Sequence, residues 1–117
     1  LLAAPLGLQV EPPRENAALT IESFEMQPGG ADALFVLNAL LRNKASHVVQ
    51  WPALELSLLD AEGKVVVRKV LQPSDYLGQA SEALRTGVRA RAEVPVRTAV
   101  QVRDVEPTGY RVRLVDP

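Results

Sequence analysis

Along most of this chain apolar and polar residues exchange places at every second position, the period of a strand with one buried face. Residues 54–58 show it most plainly, with Leu54, Leu56 and Leu58 alternating with Glu55 and Ser57. Asp60, Ala61, Glu62 and Gly63 then predict a tight turn, because glycine takes a left-handed backbone that a Cβ would strain. Residues 64–71 return with Val65, Val67 and Lys69 set against Val66, Arg68 and Val70. The pattern predicts a β-hairpin. Upstream, residues 19–26 alternate with a phase slip near Ser23, which suits a bulge or an edge strand. Residues 27–32, with Pro28, Gly29 and Gly30, read as a turn. Residues 33–43 carry a near-continuous apolar run of Leu34, Phe35, Val36, Leu37, Ala39, Leu40 and Leu41. This predicts a central strand covered on both faces. A helix of that length is the competing reading; the preceding glycines and the strand-rich neighbours favour the strand.

Residues 44–52 read as a loop. Pro73 to Leu77 predicts a single helical turn with Ser74 as its cap, and residues 84–87 a further turn. Val88, Ala90, Ala92, Val94 and Val96 then alternate with Arg89, Arg91, Glu93 and Pro95. That is a strand lying at an edge, since proline has no N–H to give to a ladder. After Pro107, Thr108 and Gly109 a last strand spans residues 110–115. Pro5, Pro12 and Pro13 make residues 1–18 an extended lead-in, and residues 19–117 the folded domain. About seven short strands and one helical turn near Ser74–Leu77 predict an all-β fold, an immunoglobulin-like antiparallel β-sandwich.

Composition narrows the picture. The 117 residues suffice for one domain. With 47% hydrophobic but only 4% aromatic residues, the core has to be built from Leu, Val and Ala. A net charge of −1 gives no broad basic field, so nucleic acid is not an expected partner. There is no cysteine, which removes disulfides, thiol catalysis and thiolate metal sites together. The apolar runs fall short of the about 20 residues a membrane helix needs. Residues 1–8 are apolar without basic residues, which is not an intact signal peptide, and so abrupt a start reads as a piece of a longer chain.

Candidate chemistry is sparse. His47 stands alone in a loop with no acidic neighbour and reads as solvated or structural. Neither a nucleophile elbow nor a phosphate-binding glycine loop occurs. Asp60 and Glu62 belong to a hairpin tip. No catalytic residue, metal or cofactor is expected. Trp51 is either an exposed recognition anchor or a plug at one end of the core, the second being favoured. Tyr76, on the helical turn, has the same two readings. Arg89, Arg91, Arg111 and Arg113 form either a binding patch or, as favoured, a solvated sheet face. Asn43 is expected to bond local backbone, and Tyr110 after Gly109 to act like a tyrosine corner.

Several motifs together resemble a known family: Leu8-Gln9-Val10-Glu11-Pro12-Pro13-Arg14, Leu40-Leu41-Arg42-Asn43, Trp51-Pro52-Ala53-Leu54-Glu55-Leu56, Leu59-Asp60-Ala61-Glu62-Gly63, Val67-Arg68-Lys69-Val70-Leu71-Gln72-Pro73-Ser74-Asp75-Tyr76-Leu77 and Gly109-Tyr110-Arg111-Val112. The chain resembles a bacterial domain of unknown function that follows a zinc-ribbon finger and one transmembrane helix. The resemblance implies a domain on the periplasmic side of the inner membrane, tethered by a helix outside this sequence. It implies structural roles for Asn43, Pro52, Asp60, Gly63, Pro73, Tyr76, Gly109 and Tyr110. Family lead-ins often carry two cysteines where this chain has Leu2, Ala3 and Leu8, so a disulfide there is not expected. The expected function is non-enzymatic: an interaction or scaffolding domain for an unknown protein partner in the cell envelope. The Pro95 strand and residues 19–26 are the candidate edges for pairing with it. The alternative is a small-ligand or glycan binder at the Trp51/Tyr76 end.

Overall fold

The computed structural model describes residues 8–10, 18–78 and 81–117. Strand β1 is Leu8–Val10, β2 Leu19–Pro28, β3 Leu34–Asn43, β4 Ala53–Leu59 and β5 Val65–Leu71. Two short helices follow, α1 over Pro73–Leu77 and α2 over Ala83–Thr86, and then β6 (Glu93–Gln101) and β7 (Gly109–Val115). The fold is all-β. One sheet has the order β2-β3-β6 and is antiparallel throughout. In the other, β7, β4 and β5 are antiparallel neighbours, and the three-residue β1 lies parallel to β7 at its edge. Apart from Leu8–Val10 and Ala18, the expected lead-in lies outside the described residues.

Alternation places the core between the two sheets. Leu37, Ala39 and Leu41 of β3 and Val96 and Val100 of β6 meet Leu54, Leu56 and Leu58 of β4 and Val112 of β7 in one apolar cluster. Phe24 and Tyr110 join the layers, with ring centroids 5.6 Å apart. The phase slip in β2 is a bulge: Ile21 pairs with Leu41 and Ser23 with Leu40, leaving Glu22 as the extra residue. It moves the inward positions from Leu19 to Phe24 and Met26. The hairpin is as the alternation predicts, with Gly63 at φ 81°. β3 is central, but only one of its faces is fully buried. On the other, Leu34, Val36 and Leu40 are half-buried between the flanking strands, so the expected cover on both faces is absent.

Three expectations are corrected. The strand expected at residues 88–96 begins only at Glu93 and runs on to Gln101. Val88 instead makes an isolated bridge to Val49, and Arg91 turns the chain at φ 63°. A period of two over five residues does not distinguish a ladder from a bridge followed by a turn. The cap of α1 is Gln72, not Ser74: the Gln72 N–H donates to Asp75 Oδ2 at 2.7 Å, and Pro73 follows where its missing N–H costs nothing. Where a plain turn was expected at residues 84–87, Ala83–Thr86 form a second helical turn, with an ion pair of 2.5 Å between Glu82 and Arg85.

Leu58 is fully buried opposite Tyr110, whereas Val66 is 42% exposed. Leu58→Ala should therefore lower unfolding stability by about 3 kcal/mol, and Val66→Ala by no more than about 0.5 kcal/mol. Urea denaturation of the two variants checks the contrast.

Candidate functional site

The polar chemistry of the described residues gathers at the end of the sheets where β3 leaves for β4. Asn43, the last residue of β3, is completely buried. Its amide nitrogen faces the carbonyls of His47 at 3.0 Å, Val88 at 3.1 Å and Arg89 at 3.0 Å. Its Oδ1 accepts the Ala45 N–H at 2.9 Å. One side chain thus ties the loop after β3 to the segment before β6. Beside it, Val49 and Val88 exchange backbone hydrogen bonds of 3.1 and 2.7 Å. Gly87 makes that approach possible: a Cβ there would stand 2.7 Å from the Val49 carbonyl oxygen, and its φ is +74°. Neither the reach of Asn43 nor the need for Gly87 is visible in the sequence, because the partners are remote along the chain.

Trp51 and Tyr76 are brought together, with centroids 6.2 Å apart and rings edge to face. Both are buried. Trp51 Nε1 donates to the Ala83 carbonyl at 2.7 Å, pinning α2, and the Tyr76 hydroxyl donates to the Pro52 carbonyl at 2.6 Å, pinning α1. Burial raises the Tyr76 pKa well above its ordinary 10.0. Against this cluster lies an open cleft of about 610 Å³ lined by Val48, Trp51, Pro73, Leu84, Arg85 and Gly87, among others.

The four arginines do not form one face. Arg89 and Arg91 are exposed in the turn before β6. Arg111 and Arg113 lie on β7 in the other sheet, around a hollow shared with Glu55, Ser57 and Arg68. Arg113 Nε is 2.7 Å from Glu55 Oε1. Asp60 is structural: its Oδ1 accepts the N–H groups of Glu62 and Lys64, each at 2.9 Å. Tyr110 does not act as a tyrosine corner. Its hydroxyl is buried without a hydrogen bond. Burial raises its pKa, the backbone of Met26 opposing this without a bond of good geometry and the Glu25 charge adding to it. His47 is exposed. Among the described residues no three His, Asp or Glu side chains converge as metal ligands.

The geometry defines a small all-β domain whose buried polar groups serve its own framework. The chain belongs to the family described as "Protein of unknown function (DUF3426)", whose model matches residues 16–114. No curated protein and no solved structure matches it.

Asn43→Ala should cost about 3 kcal/mol, since several buried backbone groups lose their partner at once. Tyr76→Phe should cost about 1 kcal/mol, whereas Tyr110→Phe should be neutral or stabilising because no bond is lost. A Tyr110→Phe variant destabilised as much as Tyr76→Phe would show that the hydroxyl is satisfied. Above pH 10.0 the unfolded chain releases the Tyr76 proton while the fold retains it, so stability should fall as pH rises beyond that point. Tyr76→Phe should flatten this alkaline slope in denaturation measured across pH.

Proposed function

We propose that this chain is a non-enzymatic interaction or scaffolding domain of a membrane-anchored bacterial protein, lying on the periplasmic side of the inner membrane. In this reading a zinc-ribbon finger and a transmembrane helix belong to the same protein outside the present sequence. The domain takes a protein partner in the envelope, neither nucleic acid nor a cofactor. Membership of the family supports the reading, as it fits the resemblance carried by the motifs from Trp51-Pro52 to Tyr76-Leu77. No helix among the described residues is long and apolar enough to cross a membrane.

The fold in this reading is an immunoglobulin-like sandwich of about seven strands. Support comes from the order of the sheets: β2-β3-β6 stands opposite β7-β4-β5, and from β2 onward the chain changes sheet between β3 and β4, β5 and β6, and β6 and β7. These are the crossings of a Greek-key sandwich.

The observation that carries the interaction reading is the state of the sheet edges. β2 and β6, the two strands named from the sequence as candidate edges, bound the three-stranded sheet, and β5 bounds the other. Each offers one side of its backbone to an added strand. A second reading, a small-ligand or glycan site, rests on the cleft beside Trp51. Both aromatic polar groups there are already engaged internally. A rise in melting temperature with envelope sugars or lipids would support this alternative, and no shift across them would remove it.

In spheroplasts carrying the full-length protein, external protease should digest this domain. Protection until the membrane is broken would refute the periplasmic placement. Photocrosslinkers at Glu25, Val70 and Ala99, one on each edge, should capture a discrete partner from at least one position; capture from none would refute strand pairing.

A further inference from the structure

On the outer face of the sheet that holds β7, β4 and β5, the middle strand presents the short side chain of Ser57 between two long ones. Arg68 of β5 stands opposite Ser57 on one side, and Arg111 of β7 on the other. One step along the same face, Arg113 stands opposite Glu55. Side chains directly opposite one another share a face, and adjacent strands lie about 4.8 Å apart, so both arginines start within reach of the serine. The five residues line a hollow of about 210 Å³.

The lining is unbalanced in charge. Three guanidiniums against one carboxylate leave it at +2. Like charges gathered on one sheet face oppose folding, so packing alone does not call for them. The carboxylate is already engaged, with Arg113 Nε 2.7 Å from Glu55 Oε1. The floor is polar as well. Ser57 is only 3% exposed. Its hydroxyl oxygen accepts a long bond of 3.4 Å from Arg68 Nε, and among the described residues its own proton has no acceptor. Each arginine has five N–H donors in a planar fork, so one engaged through a single N–H keeps others for a ligand.

Size and geometry set the ligand. The hollow is smaller than the about 300–1,000 Å³ of small-molecule pockets, so it takes one group rather than a whole molecule. Guanidiniums on two sides and a hydroxyl beneath suit a tetrahedral group that accepts from several directions. A planar carboxylate is saturated by one fork.

We propose that Arg68, Arg111 and Ser57, with Arg113 beside them, form a binding site for a phosphate group, carried by a small soluble molecule or by a phospholipid headgroup. Arg68 and Arg111 hold its oxygens from the two flanking strands, and Ser57 donates from the floor. Arg113 adds positive charge, and Glu55 opposes the ligand. Of the arginines singled out from the sequence, Arg111 and Arg113 belong to the site, and Arg89 and Arg91 do not. Arg68 and Ser57 join it only through the pairing of β4 with its two neighbours. The site needs neither a partner strand nor the cleft beside Trp51, so it stands or falls apart from both.

The test titrates the isotope-labelled chain with sodium phosphate at constant ionic strength, sodium chloride making up the balance, and follows arginine Nε–H and backbone amide resonances. Saturable shifts should appear at Ser57, Arg68 and Arg111 and not at Arg89 or Arg91. Arg68→Gln and Arg111→Gln should each weaken binding about tenfold. Glu55→Gln should tighten it about threefold, since the opposing charge is gone. Thermal unfolding shows that the variants are folded. In a second arm, the chain is sedimented with vesicles of phosphatidylcholine, alone or mixed with phosphatidylglycerol. Vesicle binding that requires phosphatidylglycerol and is lost in Arg68→Gln and Arg111→Gln supports the site with a headgroup as its source. Saturation by phosphate without vesicle binding supports it with a soluble source. No saturation in either arm overturns the inference, as does phosphate affinity unchanged by Arg68→Gln and Arg111→Gln. An equal response to acetate, or vesicle binding that survives both substitutions, overturns it too.

Discussion

The carboxamide of Asn43 holds the place where the chain passes from one sheet to the other. Three backbone carbonyls converge on its nitrogen, and one backbone N–H on its oxygen, in a site closed to water. In such a site each of these groups would be costly to leave unpaired, so the loop after β3 and the segment before β6 are fixed together or not at all. The Val49–Val88 bridge, the tight approach at Gly87 and the seat of Trp51 follow in sequence from that crossing. A leucine of similar volume would fill the space and satisfy none of the backbone.

Around this anchor the core is almost wholly aliphatic, and the few aromatic rings are placed where strands alone would leave gaps. Phe24 and Tyr110 span the two layers, while Trp51 and Tyr76 close the end beneath the short helices. The two buried tyrosines differ in a telling way. Tyr76 finds the Pro52 carbonyl and so locks α1 to the start of β4. Tyr110 contributes ring area between the sheets and leaves its hydroxyl without a bond. Burial disfavours the ionised form of both, since a phenolate loses its hydration in an apolar layer.

With the polar interior committed to the framework, the surface is where this domain can act on other molecules. The four candidate arginines divide between a turn and the outer face of the second sheet. Its long edges are each interrupted, β2 by a bulge at Glu22, β6 by Pro95 and β5 by a register shift at Val66. Interruptions of that kind keep an edge from unwanted pairing. Arg68 and Lys69 add positive charge along β5, which repels a like strand.

Much of the architecture was legible before any coordinate. The alternation at Leu54, Leu56 and Leu58, the turn at Gly63, the slip in β2 and the central place of β3 depend on local geometry or on burial of one strand face, and each leaves a mark of period two. The edge position of β6 was legible because Pro95 removes a donor. Where the reading went astray, at residues 88–92, at Ser74 and over the arginines, local pattern was compatible with more than one arrangement. Val88 bridges Val49 rather than starting a strand, Asp75 finds the Gln72 amide, and Arg89 and Arg111 part to a turn and to β7 only once the chain has folded. The sequence by itself determined which residues turn inward and where the chain bends, because alternation and turn chemistry act between near neighbours. Only the tertiary structure decided which backbones meet at Gly87 and what Asn43 holds, because both depend on backbone groups brought together from distant parts of the chain.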